Sequence, residues 1–250
     1  MHLKSFFALY LTVPVLGLLG CTPLSERIAQ RPLNPTAAME ISRQEALSLG
    51  RYEGRLSLRV DLPTFNVLRR YGGLIQACAD RYRLDWRLIL AVMKTESAFS
   101  SSAVSEKGAY GLMQIMPVTG AELERTLDLL DIRDPTNNIR GGVFYLRQLY
   151  DLFSTSPPGD RLRFALAAYN AGVGRVYDAQ ELAVYFHADP SRWISVRTAL
   201  GLLSSEQCEL HEIVWTEGRP KSGCFDNSGE TLNYVDRVMD TYAQYKEMLE

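Results

Sequence analysis

From Phe65 to Tyr245 the apolar positions recur mostly at helical spacing. Val67, Leu68, Tyr71, Leu74, Ile75, Cys78 and Ala79 fall near a 3.6-residue period and predict a helix over Phe65 to Tyr82. Asp85 can cap a second helix beginning at Trp86, where Leu88, Val92 and Glu96 stand at i, i+4 and i+8 beside Ile89 and Met93. One side of that helix is apolar and ends in a carboxylate. Ser97 to Tyr110 is rich in Ser, Gly and Ala and predicts a loop along one side of a cleft. Pro117 can start a helix reaching Leu130, and Ile139, Val143, Leu146, Leu149 and Tyr150 form another apolar stripe. After the turn-rich stretch Ser154 to Asp160, Leu162 to Tyr169 predicts a buried helix, and Leu232, Val235, Val238, Met239, Tyr242 and Tyr245 predict a closing one. Only Arg55 to Leu62 alternates like a short strand.

The pattern changes before Phe65. Residues 1–20 carry one positive charge, Lys4, and then an apolar run from Phe6 to Leu19, the layout of a secretory signal and too short for a confident membrane span. From there to residue 64, Pro23, Pro32 and Pro35 break any early helix, which suits a tether at 21–64. Residues 65–250 are then expected to form one mainly α domain. The 46% hydrophobic content of the whole 250-residue chain is enough for a sizeable core, and its formal net charge of −2 gives no electrostatic footprint for nucleic acid. His2, His187 and His211 lie far apart, so no metal-ligand spacing is present, and no cofactor motif stands out. The cluster Asp128, Asp131 and Asp134 reads as a solvated face.

Glu96 is the residue with candidate chemistry. An apolar surround removes hydration from its carboxyl, and the negative end of a helix dipole adds to the cost of ionising it. Both effects raise its pKa, and a carboxyl that stays protonated near neutral pH is what general-acid cleavage of a glycosidic bond requires.

The residues around and beyond Glu96 have a family look. Glu96-Ser97, Ser105, Gly108 and the run Gly111 to Pro117 (GLMQIMP) closely resemble the catalytic segment of lytic transglycosylases with an SLT domain. Asp134 to Gly142, Ala168-Tyr169-Asn170-Ala171-Gly172 and Glu230 to Val235 (ETLNYV) resemble further segments of that family, in its order. The resemblance implies a lysozyme-like (goose-type/SLT) helical fold with a substrate cleft, and cleavage of peptidoglycan between MurNAc and GlcNAc to leave 1,6-anhydroMurNAc ends. It implies Glu96 as the catalytic group and Ser97, Ser105, Gln114, Met116, Tyr169, Asn170 and Tyr234 as substrate-binding or Glu-orienting residues, with no metal or cofactor, and with peptidoglycan glycan strands and the membrane as partners. Ser97 reads equally as a capping hydroxyl, and Tyr234 can meet either Glu96 or the substrate. Where the family commonly has Pro-x-Gly after the loop serine, this chain has Glu106-Lys107-Gly108, and Glu106 reads as a solvated loop charge. A hydrolytic muramidase and a catalytically idle peptidoglycan-binding lipoprotein are the competing readings.

Leu18-Leu19-Gly20-Cys21 resembles the bacterial lipobox, which implies cleavage before Cys21, its acylation, and an outer-membrane anchor facing the periplasm. In that oxidising compartment Cys208 and Cys224, with fifteen residues between them, can pair, a closure that stabilises by about 3 kcal/mol in the chain-entropy model; two free thiols are the other reading. Cys78, on an apolar helix side, reads as an inert core thiol. Residues 175–229 look longer than the compact family pattern and suggest an insertion over the cleft. Because stable anchoring takes more than one acyl chain on this cysteine, Cys21→Ser is expected to move the protein from the membrane to the soluble fraction. Unchanged fractionation would count against the anchor.

Overall fold

A computed structural model describes residues 60–249. Among these, helices α1 (Leu62–Tyr82), α2 (Trp86–Ser97), α3 (Pro117–Leu127), α4 (Pro135–Leu152), α5 (Pro158–Ala171), α6 (Val173–Tyr185), α7 (Trp193–Gly201), α8 (Cys208–Val214) and α9 (Ser228–Met248) follow in order, with a 3-10 turn at Ser205–Gln207. The leader, Cys21, all but residues 60–64 of the tether and most of the alternating stretch from Arg55 lie outside the described residues. Leu62, the last residue of that stretch, opens α1 rather than ending a strand. The reason is local: Asp61 accepts from the Thr64 N–H and Pro63 stands in the first turn, two start signals that outweigh a short alternation.

Two helices are buried on nearly every side. Leu88 to Met93, six successive residues of α2, are buried, and so are Phe164 to Ala168 of α5. An element apolar all round must be enclosed by others. α5 packs against α4, α6, α7 and α9, while α2 lies between α1 and α9. The single stripe expected for α2 therefore understates its burial. The ends of the described chain meet beside it, where the Thr64 hydroxyl and Tyr245 phenol hydrogen-bond at 2.9 Å inside the core. Among the described residues no helix is long and apolar enough to cross a membrane.

The start signals expected from sequence recur along the chain. Asp85 accepts from the Arg87 N–H at α2, and Asp134 from the Thr136 and Asn137 N–H groups at α4. Asp131 likewise accepts from the Arg133 N–H, and Asp128 closes α3 in a left-handed conformation. The aspartates read as a solvated face are thus the punctuation between α3 and α4.

Residues 175–229 form α6, α7, α8 and the turns around them, and they share the core of the other helices through Val176, Leu182, Val196, Leu200, Trp215 and Phe225. The loop before α9 is pinned by polar contacts. Asp178 accepts from the Ser222 N–H, Glu181 takes the Trp215 indole N–H and the Lys221 ammonium, and Asp226 accepts from the Ser205 N–H and from both Ser204 and Ser205 hydroxyls. Cys208 and Cys224 are free and exposed, so the disulfide expected between them is not formed. Asp226 joins the two stretches that carry these cysteines through its bonds to Ser204 and Ser205.

The loop between α2 and α3 is held from beneath by Asn138, a fully buried residue of α4. Its Oδ1 accepts from the Met113 N–H at 2.8 Å, and its Nδ2 donates to the carbonyls of Tyr110 and Ile132. Gly111, at φ +81°, sits so close that a Cβ there would stand 2.7 Å from the Asn138 side chain. Gly142 makes equal room for Met113, whose Cβ lies 2.6 Å from where a glycine Cβ would be. Asn138→Ala leaves the buried Met113 N–H and the Ile132 carbonyl without this partner, while the Tyr110 carbonyl keeps the Ile115 N–H, and a buried group left unpaired costs about 1–3 kcal/mol. Urea unfolding should therefore show a loss of about 1–3 kcal/mol, and a loss below about 0.5 kcal/mol would remove Asn138 as the brace of this loop.

Candidate active site

Glu96 occupies the last turn of α2, which ends at Ala98 in a left-handed conformation. The run of buried residues through Met93 carries the helix end into the protein, so the carboxyl emerges where water is scarce. The Tyr234 phenol, on buried α9 and itself 3% exposed, donates to Glu96 Oε1 at 2.6 Å. Burial pushes the Glu96 pKa up to about 7, against the lowering effects of the Tyr234 hydrogen bond and the nearby Arg237 charge. Desolvation, rather than a second carboxylate, is the cause. Burial and the neighbouring Glu96 in turn hold the Tyr234 and Tyr169 phenols well above their ordinary range, so both stay protonated.

Tyr234 and Tyr169 thus lie close to Glu96, and the other residues singled out from sequence take roles that their own hydrogen bonds define. Ser97 donates from its hydroxyl to the carbonyls of Met93 and Leu112, at 3.1 and 3.0 Å, which ties the end of α2 to the loop. These contacts give its hydroxyl a structural role. Ser105 accepts the Ala109 N–H at 2.9 Å and closes the turn that holds Glu106 and Lys107, leaving its own proton available. Glu106 is exposed on this turn, as its reading as a solvated charge required.

Gln114, at φ +46°, donates from Nε2 to the carbonyls of Gly111 and Ala103, at 2.9 and 3.2 Å. With its amino group committed to the loop, only the side-chain oxygen remains to meet a ligand. The loop's backbone bridges explain this, since Tyr110 pairs with Val104 and Ile115 and brings the Gly111 and Ala103 carbonyls together under the side chain. Gly111 is buried, and its missing side chain makes room for Asn138. Met113 is core, whereas Met116 is 41% exposed at the start of α3, in agreement with a surface role for the second only.

Tyr169 donates to the Met113 carbonyl at 2.7 Å, and its ring packs against Tyr145 at 5.4 Å between centroids. Having given away its proton, the phenol can only accept from a ligand. Asn170 is exposed near the end of α5, and its Oδ1 accepts from the Thr231 hydroxyl at 2.7 Å, so its amide N–H groups are left to donate. Three further residues escaped sequence reasoning: Asn138, which holds the loop; Thr231, which orients Asn170; and Arg237, one helical turn beyond Tyr234, whose charge reaches Glu96. Asn138 and Thr231 lay inside segments already recognised as motifs, and the spacing from Tyr234 was a usable signal for Arg237.

Residues 73–188, which carry most of this site, match the family model described as Transglycosylase SLT domain. A protein of Desulfosudis oleivorans named membrane-bound lytic murein transglycosylase F is 37% identical over 184 residues, which cover 73% of this chain and 38% of the relative. One of the same name from Maricaulis maris is 41% identical over 140 residues, covering 56% and 30%. The chain thus spans well under half the length of either relative. The crystal structure of the soluble lytic transglycosylase SLT70 from Escherichia coli superposes with a TM-score of 0.46 at 24% identity, covering 84% of this chain and 30% of that one. The buried acid Glu96, the Tyr169 phenol and the loop braced by Asn138 all fall inside the matched segment, and residues 73–188 are a domain of the transglycosylase SLT family.

Proposed function

We propose that this chain is a peptidoglycan lytic transglycosylase that cuts the β-1,4 bond between MurNAc and GlcNAc without consuming water. The observation that carries the reading is Glu96, a carboxyl desolvated at the end of a buried helix with a pKa pushed up to about 7, with a phenol rather than a second acid as its partner. Glycosidases that retain or invert generally use two carboxylates, one of them to attack or to activate water. A single acid near neutral pKa fits a cycle in which it first donates a proton and then recovers one.

In that cycle protonated Glu96 donates to the glycosidic oxygen as its bond to C1 of MurNAc breaks. The 2-acetamido oxygen of the same sugar stabilises the cation at C1. Ionised Glu96, steadied by the Tyr234 phenol, then takes the proton of the C6 hydroxyl while that oxygen bonds to C1, which closes the 1,6-anhydro ring and restores the acid. Gln114, Tyr169 and Asn170 would face the sugar with their remaining acceptors and donor, Ser105 with its hydroxyl proton, and Met116 with apolar contact. Names of the relatives support a murein substrate and a membrane-associated setting. The finer assignment, an acylated Cys21 on the periplasmic side of the outer membrane with 21–64 as tether and 65–250 as the catalytic domain, is our reading of the lipobox-like sequence.

Two outcomes test this. Glu96→Gln should lower the release of soluble fragments from purified sacculi by about 10²–10⁴-fold, and mass spectrometry of the wild-type digest should find 1,6-anhydro ends; reducing ends alone would make the protein a hydrolytic muramidase, and equal silence with equal sacculus binding by both forms would make it a binding protein. The acid must be protonated to start the cycle, so kcat/KM should fall as pH rises through about 7. Because the Tyr234 hydrogen bond favours ionised Glu96, Tyr234→Phe should move that alkaline limb to higher pH while lowering the maximum; a limb that stays in place would detach the pH dependence from this pair.

A further inference from the structure

The turn between α5 and α6 is a single residue, Gly172, at φ +89°. A Cβ there would meet nothing within 4 Å, so the glycine serves its backbone angle and not a close approach. Asn170 and Ala171 end α5 on one side of this hinge, and Arg175 stands in the first turn of α6 on the other. Its Nη1 donates back across the hinge to the Ala171 carbonyl at 2.8 Å, and its guanidinium carbon lies 4.6 Å from the centre of the Phe225 ring.

Phe225 is itself fixed: its ring is buried and its N–H donates to the Leu203 carbonyl at 2.8 Å. It belongs to the stretch that leads into α9, where the Thr231 hydroxyl orients Asn170. Arg175 therefore touches both lengths of chain that end in the Asn170–Thr231 pair, one at the residue after Asn170 and the other in the loop before Thr231. It enters none of the ion pairs formed among the described residues, and its buried Nε meets no acceptor among them. The guanidinium thus works with a carbonyl and a ring, not with a counter-charge. A planar cation that stacks on an aromatic face while donating in its own plane can join two such groups at once.

We propose that Arg175 is a positioning residue, which holds Asn170 with its amide N–H groups outward by locking the end of α5 to the loop before α9. The inference rests on the reading of Asn170 as a residue that meets the sugar. Arg175 acts through its neighbours and touches no reacting atom. Without it the Gly172 hinge and the loop before α9 shift independently, the Thr231 hydroxyl no longer keeps the Asn170 oxygen in one orientation, and the wall beside Glu96 loses a fixed donor.

Kinetics on soluble glycan strands test this with Arg175→Met, which keeps a long unbranched stem and removes the donors. KM should rise about three- to tenfold, the size of one neutral hydrogen bond, with kcat nearly unchanged because the chemistry at Glu96 is not touched. Arg175→Lys, which can still reach the carbonyl, should recover part of the loss. Asn170→Ala should raise KM to a similar extent, and adding Arg175→Met to it should raise KM no further. Effects that multiply, or a KM that Arg175→Met leaves in place, would overturn the proposal. A wild-type chain inactive on glycan would sink the functional reading instead, and NMR then decides the positioning role by itself. The side-chain NH2 signals of Asn170, identified by their loss in Asn170→Ala, should report a restrained amide in the wild-type chain and a freely turning one in Arg175→Met; signals that Arg175→Met leaves unaltered would overturn the role whether or not the chain is active. Should Arg175→Met fail to fold, Phe225→Leu, which removes the ring and keeps the arginine, is read by the same cycle and the same signals.

Discussion

A carboxyl kept from water at the end of a buried helix is the constraint on which the rest of the structure depends. Burying an ionised carboxylate without compensation is costly, and a group in that position either neutralises or finds donors. Glu96 does both by degrees: desolvation raises its pKa, and the Tyr234 phenol limits the rise to about 7. Neither protonation state is then strongly preferred near neutral pH, which is the condition for one group to serve as acid and base in turn. The surrounding helices can be understood as the means of keeping α2 dry on all sides up to that last turn, with α9 supplying the phenol as well as the cover.

Beneath the loop that faces Glu96, polar groups act as structure. Asn138 answers three backbone groups from a site with no exposure, Ser97 joins helix end to loop, and Gln114 spends its amide on two carbonyls of its own loop. Buried polar networks of this kind stabilise when every member is satisfied and are costly when one is missing. The loop owes its shape to these bonds more than to regular secondary structure, because among the described residues its only strand-like pairing is two isolated bridges around Tyr110.

Much of the helical frame was legible in the sequence, since Asp85, Asp134 and Pro117 mark helix starts and the 3.6-residue spacing marks the buried sides. Glu96 was legible for the same reason: a carboxylate continuing an apolar stripe has few places to go but inward. The resemblance of short motifs then brought Tyr169, Asn170 and Tyr234 to the same place. What spacing cannot show is how a side chain divides its donors and acceptors. Ser97 and Gln114 carry the same atoms whether they face a sugar or a backbone carbonyl, and only the fold decides. Asn138 stands in a polar run, Thr136-Asn137-Asn138, whose neighbours cap a helix, so nothing local separates it from them. The cysteine pair failed for a related reason: fifteen intervening residues permit closure, but they do not reveal that Asp226 has already fastened the two stretches together.

The allotment of hydrogen-bonding capacity around Asn170 and Tyr169 gives the wall beside Glu96 a direction. Tyr169 has committed its proton to Met113, and Gln114 its amino group to the loop, so each faces outward with a lone pair. Asn170 has committed its oxygen to Thr231 and faces outward with N–H. A secondary amide is matched at both of its poles by such a surface, N–H to one side and carbonyl to the other. A charged amine could answer only half of it, and what the wall offers outward is thereby set by bonds the protein makes with itself.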